Sequence, residues 1–234
     1  MIPKKIHYCW FGKNPKPKLA EKCIASWKKY CPDYEIIEWN EDNFDIGKYP
    51  YARYCLDQQK YAFLSDFVRL IVVAEQGGFY FDNDVEVIRS LDSLLKYEAF
   101  YGFENNEYVA SGLGFGAEKG HISVLRMLEE YKHLEKEDGS FELKGCPRLN
   151  TEALVKLGLQ QNGREQEVAG AHIFTADYFN PFEDATGLLK STENTYAIHW
   201  YAKSWMSKRK IIRSKLTRPL HRLLGVDFFR KRRK

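Results

Sequence analysis

The chain has 234 residues, 44% hydrophobic and 15% aromatic, enough for one sizeable domain with its own core and at most a small appendage. Its five cysteines, Cys9, Cys23, Cys31, Cys55 and Cys146, fall at irregular intervals without a C-x-x-C pair, which excludes a disulfide framework and a zinc cluster and predicts reduced, mostly buried thiols. The net charge of +4 hides a split: Ser207 to Lys234 holds twelve Lys or Arg against one acid, Asp227, so the preceding residues carry about −7.

The first residues, MIPKKIHYCWFGK, lack the apolar run of a signal peptide, and the longest aliphatic run, Leu70 to Ala74, is far too short for a bilayer, so a cytoplasmic chain is expected. KKIHYCWFG alternates and reads as an opening strand that ends in a loop at Gly12, Pro15 and Pro17. In KLAEKCIASWKKY the apolar Ala20, Cys23, Ile24 and Trp27 sit at helical intervals, and YEIIEW makes a second short strand. From Tyr61 to Gln76, YAFLSDFVRLIVVAEQ has no internal breaker and Gly77-Gly78 stops it, which predicts a largely buried helix. It leads into FYFDND as a central strand flanked by a second strand, VEVI.

Further on, EAFYGFE and SGLGFGA read as strands or strand edges, HISVLRMLEEYKHLEKE as an amphipathic helix and EDGSFELKGC as a loop. NTEALVKLGLQQ is a helix capped by Asn150 or Thr151, and AHIFTADYF and TYAIHW close the body as short strands. The alternation predicts an α/β domain over residues 1–206 with a mostly parallel, Rossmann-like central sheet, followed by a basic helical tail over 207–234.

The chemistry centres on GGFYFDND. Asp82 and Asp84, separated by one residue at a strand end, can reach one hard divalent cation, although an isolated D-x-D is more often a pair of solvated turn residues. A calcium-binding helix-loop-helix fails, because the positions that need Gly and Glu hold Val87 and Ser93. An aspartyl-phosphate phosphatase fits poorly, with Glu86 at the fifth position of the motif. A nucleotide-sugar transferase uses such a pair to hold a metal against a diphosphate, neutralising the charge that builds on the leaving phosphate.

Four segments in order, IPKKIHYCWFG, AFLSDFVRL, GGFYFDNDVE and IHWYAKSW, resemble the D-x-D glycosyltransferases of family 32, which are distant relatives of the large glucosylating toxins. The resemblance implies a GT-A type fold, a nucleotide-sugar donor, Mn²⁺ or Mg²⁺, and transfer with retention of configuration. It implies that Trp10 stacks on the donor base, where the plain alternative is a core tryptophan. Asp66 and Arg69 then bind the donor's sugar and phosphate region, with small Ala62 on the same helical stripe leaving room for it; the plain alternative is an i,i+3 salt bridge on a solvated face. His199 becomes the third metal ligand beside Asp82 and Asp84, and Ser204 and Trp205 contact the diphosphate. Asn83 joins the nucleotide-sugar contacts, Ser111 and Gly112 lie in a segment that passes close to the sugar and acceptor, and CPRLNTEAL occupies the place of the family's G-P-x-x-x-T segment with Cys146 where glycine is usual. Asp66, Arg69 and Asp84 are the expected catalytic residues.

The expected activity is transfer of a hexose, UDP-linked by family habit, to a saccharide acceptor in capsular or other surface glycan synthesis. A non-catalytic nucleotide-sugar- or glycan-binding protein is the alternative. In the tail, Ile212, Leu216, Leu220 and Leu223 form a stripe that Pro219 should kink or restart, and its basic character suits the anionic inner surface of a membrane, where a lipid-linked acceptor would be found. A simply solvated tail and a nucleic-acid tail compete with that reading, and no nucleic-acid partner is expected.

Overall fold

KIHYC forms the strand β1 (Lys5–Cys9), KLAEKCIASWKKY the helix α1 (Lys18–Tyr30) and EIIEW the strand β2 (Glu35–Trp39), in a computed structural model that describes residues 1–203 and 206–225 apart from the side chain of Lys208. Two helices follow, α2 (Pro50–Asp57) and α3 (Tyr61–Gln76). The first was not foreseen: at eight residues it is too short for a clear apolar period, and its signal is Pro50 in the first turn, where a missing N–H costs nothing. The long apolar helix ends as expected at Gly77, whose φ of 66° and whose contact with Lys119 and Pro3 leave no place for a side chain.

The strands β3 (Gly78–Tyr80), β4 (Val85–Val87), β5 (Ala99–Gly102) and β6 (Phe115–Ala117) come next, then the helices α4 (Ile122–Tyr131) and α5 (Cys146–Val155). The remaining elements are β7 (Gln166–Val168), β8 (Ala171–Phe174), the hairpin β9 (Phe182–Glu183) and β10 (Leu188–Leu189), β11 (Ala197–His199), and the helices α6 (Lys208–Leu216) and α7 (Arg218–Leu224). The break between the last two falls at Thr217, two residues before Pro219, which occupies the first turn of α7, so the proline restarts the helix as expected.

Seven strands form one sheet in the order β2-β1-β3-β6-β5-β8-β7. β2, β1, β3, β5 and β8 run in one direction and β6 and β7 against them, so the sheet is mostly parallel. Its two faces feed two cores. Tyr80, Tyr101, Phe115 and Ile173 pack with α2 to α5, whereas Ile6, Phe79, Phe81 and Phe100 pack with Cys23 and Trp27 of α1. Alternate residues of FYF therefore point to opposite layers, as strand geometry requires. All five cysteines are free and buried. Among the described residues no helix is long and apolar enough to cross a membrane.

Three expectations change. VEVI does not flank the central strand: β4 leaves the main sheet and pairs antiparallel with β11 in a separate two-stranded ribbon. Asn150 and Thr151 are not caps but buried residues inside α5, which begins four residues earlier at Cys146 with Pro147 in its first turn. The helix after His121 stops at Tyr131, short of the charged run that follows it.

His7 ties β1 to the start of β3. Its Nε2–H donates to Gly77 O (2.9 Å), and its Nδ1 accepts from Trp39 Nε1 (3.1 Å). Burial pushes this imidazole down to about 4. A depressed histidine means that the unfolded chain binds the extra proton first, so its contribution to stability is whole above pH 6.5 and shrinks as the pH falls from there towards 4. Between pH 7.5 and pH 5 the protein should lose about 2 kcal/mol through this group. Urea unfolding of wild type and His7→Gln at both pH values measures it: the variant should show the shallower loss, and equal slopes would remove the assignment.

Candidate functional site

The site lies where α3, the end of β3, the turn before β6 and the end of β11 meet. Asp82 is two residues beyond Tyr80 and on its side of the sheet, the side that α3 covers; the Tyr80 hydroxyl donates to Asp82 Oδ1 (3.1 Å). Arg69, in the middle of α3 and 2% exposed, reaches the same oxygen through Nη2 (2.8 Å) and Asp66 Oδ1 through the same nitrogen (2.8 Å). The Asp66–Arg69 pair is therefore an i,i+3 ion pair, but a buried one that also takes in the D-x-D motif, and not a pair on a solvated face. The guanidinium lies over the Tyr80 ring (4.9 Å), and its Nη1 donates to Ser111 Oγ (3.3 Å) and to Cys146 Sγ (3.4 Å).

Strand geometry alone does not bring Asp84 to Asp82. The strand ends at Tyr80, and a turn closed by the Val85 N–H donating to Asp82 O (3.0 Å) carries Asp84 round. β4 then starts and pairs with β11 so that His199 sits opposite Val85. This puts His199 Nε2 3.2 Å from Asp84 Oδ1. α1 fixes the ribbon from below: Trp27 Nε1 donates to Val85 O (2.8 Å) and Val87 N–H to Ser26 Oγ (3.0 Å). Beyond His199 the backbone is strained, with Tyr201 at φ 50° and Lys203 at φ 52°, and the intervening Ala202 N–H donates to Asp84 Oδ2 at 2.6 Å.

Asp82, Asp84 and His199 each offer a ligand atom within 4.8 Å of the others. One oxygen of each carboxylate is already oriented, Asp82 Oδ1 by Arg69 and Tyr80 and Asp84 Oδ2 by Ala202, which leaves Asp82 Oδ2 and Asp84 Oδ1 for a ligand. His199 Nδ1 is buried without a hydrogen-bond partner. Two carboxylate oxygens and an imidazole are a donor set that suits a divalent cation such as Mn²⁺. Without one, burial raises Asp82 against the pull of Arg69 and pushes Asp66 up to about 6. For Asp84, burial is outweighed by the facing His199, which holds its carboxyl below the ordinary range while its own imidazole is held above.

Gly112 lies against this cluster. A Cβ there would stand 2.5 Å from Asp82 Oδ2 and 3.1 Å from Arg69 Nη1, so any side chain at this position would push Asp82 aside. Ser111 is buried, its N–H donating to Asn150 Oδ1 (3.1 Å), and the Val109 N–H donates to Thr151 Oγ1 (2.9 Å). Asn150 and Thr151, expected as caps, thus hold the glycine segment against the carboxylates. Asn83 stands half-buried in the turn, and Ala62 half-buried on α3 one turn before Asp66. Trp10 is half-buried one residue past the end of β1, its backbone N–H donating to Trp39 O (2.8 Å) at the end of β2 and its Nε1 to Asn14 O (2.7 Å), so it lies at the edge of the core and not inside it. Ser204 and Trp205 lie outside the described residues.

Glu104 and Tyr201 were missed. Tyr201 lies against the His199 ring (centroids 4.1 Å apart), and its hydroxyl donates to Asn180 Oδ1 (3.0 Å) and Glu104 Oε1 (3.3 Å). Burial raises the Glu104 carboxyl although His199 draws it down. No spacing could have found this group, because its members come from three segments.

Residues 17–101 match the family described as a glycosyltransferase sugar-binding region containing a DXD motif. The chain is 30% identical over 134 residues to inositol phosphoceramide mannosyltransferase 3 of Schizosaccharomyces pombe, covering 54% of this chain and 36% of that protein. It is 28% identical over 111 residues to Subversion of eukaryotic traffic protein A of Legionella pneumophila, covering 36% of this chain and 17% of that one. The chain thus spans well under half the length of either relative. Among solved structures, PaToxG Glycosyltransferase is similar with a TM-score of 0.51 at 21% identity, over 66% of this chain and 69% of that one, a likeness of fold that agrees with the expected GT-A type domain.

Two substitutions test the geometry. Gly112→Ala should fold but displace Asp82, so calorimetric titration with Mn²⁺ should show at least about tenfold weaker binding than wild type; unchanged affinity would contradict the close approach. Arg69→Met leaves Asp66 and Asp82 facing each other uncompensated and should destabilise by roughly 3–5 kcal/mol in urea unfolding.

Proposed function

We propose, from the DXD glycosyltransferase sugar-binding region that residues 17–101 carry, that the protein is a metal-dependent, retaining hexosyltransferase acting on a nucleotide-sugar. The observation that carries this reading is the convergence of Asp82 and Asp84 with His199, over a hundred residues further along the chain, into one ligand set braced by Arg69. The mannosyltransferase relative supports a hexose as the transferred group. UDP is the expected nucleotide and a saccharide the acceptor, in capsular or other surface glycan synthesis. The basic tail supports a location on the cytoplasmic face of a membrane, where the acceptor is lipid-linked.

Mn²⁺ or Mg²⁺ held by Asp82, Asp84 and His199 would offset the negative charge that builds on the leaving diphosphate. The chain's own residues do the positioning. Arg69 and Tyr80 fix one oxygen of Asp82, and the Ala202 N–H fixes one of Asp84, so the remaining oxygens are aimed before any ligand arrives. Trp10 offers an indole face for the nucleobase, and Ser111 and Gly112 bring the backbone close to the sugar. Ser204 and Trp205 remain the proposed diphosphate contacts. Retention then follows from attack by the acceptor hydroxyl on the face the diphosphate leaves, its proton passing to the departing phosphate oxygen; recovery of a glycosylated enzyme peptide by mass spectrometry would overturn that route.

Turnover of a panel of UDP- and GDP-sugars, with and without saccharide acceptors, tests the whole reading. Hydrolysis or transfer should need Mn²⁺ or Mg²⁺, stop with EDTA and return on adding metal. Asp84→Ala should lower it by roughly a hundredfold or more. Donor binding without any turnover in wild type would instead favour the binding-protein alternative.

A further inference from the structure

The last helix, α7, is docked the wrong way round for an ordinary surface helix. Arg218, at the start of α7, donates from Nε to Asp184 O (3.1 Å) and from Nη2 to Asp184 Oδ1 (3.1 Å), with its guanidinium over the Phe182 ring (5.4 Å). Arg222, one turn later, donates to Thr186 O (2.7 Å). The arginine side therefore faces the β9–β10 hairpin. At about 100° per residue, Leu220, Leu223 and Leu224 lie on the opposite side of the helix. They are 45%, 82% and 47% exposed. On α6, Ile212 and Leu216 share a stripe and are 57% and 73% exposed.

Five large aliphatic side chains left in water on adjoining helices call for a covering surface. The charges around them identify it. Arg209, Lys210, Arg213 and Lys215 are exposed on α6, there is no acid from Ser207 to Leu224, and the sequence adds Arg230 to Lys234. A second copy would bring like charge against like charge. Nucleic acid would account for the basic residues but not for the leucines. An interface that is anionic outside and apolar beneath accounts for both.

We propose that α6 and α7 form a docking face for an anionic lipid bilayer, with Ile212, Leu216, Leu220, Leu223 and Leu224 entering the acyl boundary and the surrounding Lys and Arg meeting the headgroups. The hairpin holds this face ready: Asp184 binds Arg218 on one side and Lys203, four residues after the metal-site His199, on the other, so the docked helices and the site share one anchor. The proposal deepens the membrane-surface part of the reading above and rests on that part alone, not on sugar transfer.

Flotation of the full chain with phosphatidylcholine vesicles, with and without phosphatidylglycerol, tests it. Wild type should float with the anionic vesicles and less so as salt rises. Leu220→Ser/Leu223→Ser/Leu224→Ser should reduce the bound fraction at least about tenfold, while circular dichroism and nucleotide-sugar turnover in solution stay at wild-type values. If wild type floats and the triple variant floats equally, the leucine face is wrong although the membrane location stands. If wild type floats with neither vesicle, both fall. Loss of self-association or of DNA binding in the triple variant, with flotation unaffected, would assign the face to that other partner and overturn the proposal.

Discussion

A guanidinium buried to 2% exposure cannot stand without anions, and the arrangement round Arg69 follows from that requirement. Asp66 comes from the preceding turn of the same helix and Asp82 from the end of β3, so the ion pairs fix how far the strand extends beneath α3. The Tyr80 ring under the guanidinium, the bare Cα of Gly112 beside it and the Cys146 sulfur at the start of α5 complete the enclosure. The same contacts that neutralise the arginine's charge hold one oxygen of Asp82 and free the other. Stability and ligand geometry here are one set of hydrogen bonds.

The second half of the site depends on a ribbon outside the main sheet. β4 departs from the end of β3, takes β11 as its antiparallel partner and is clamped by Ser26 and Trp27 of α1; Glu86 adds bonds from Trp200 Nε1 (2.8 Å) and Lys22 (2.7 Å). Register then decides chemistry. With His199 opposite Val85 the imidazole meets Asp84, whereas a slip of one residue would turn it to the other face of the ribbon. The left-handed backbone at Tyr201 and Lys203 is the strain accepted to aim the Ala202 N–H at the same carboxylate.

Legibility varied with the range of the interaction. α1 and α3 were readable because thirteen and sixteen residues give the apolar period room to show, and Gly77 marks the end of α3 without ambiguity. α2 was not, because eight residues rich in tyrosine carry too little pattern. Asn150 and Thr151 looked like caps because they are capping types; inside a helix they bond the 109–111 backbone across the fold, a tertiary role their local sequence does not signal. VEVI looked like a neighbour of FYF because both are short and β-branched or aromatic, and strand pairing is not encoded in composition.

The sequence by itself determined the alternation of helices and strands, the reduced state of the cysteines, the basic tail broken before Pro219 and the presence of two acids at the end of an aromatic strand. These rest on propensity, period and charge, which act within a few residues of one another. Only the tertiary structure decided that Asp82 and Asp84 meet through a turn, that Arg69 serves both Asp66 and Asp82, that His199 closes the set, and that α7 turns its arginines inward and its leucines out. Those outcomes depend on which distant groups satisfy a buried charge or an unpaired strand edge. That choice is made by packing across the whole chain, and no stretch of it carries the answer alone.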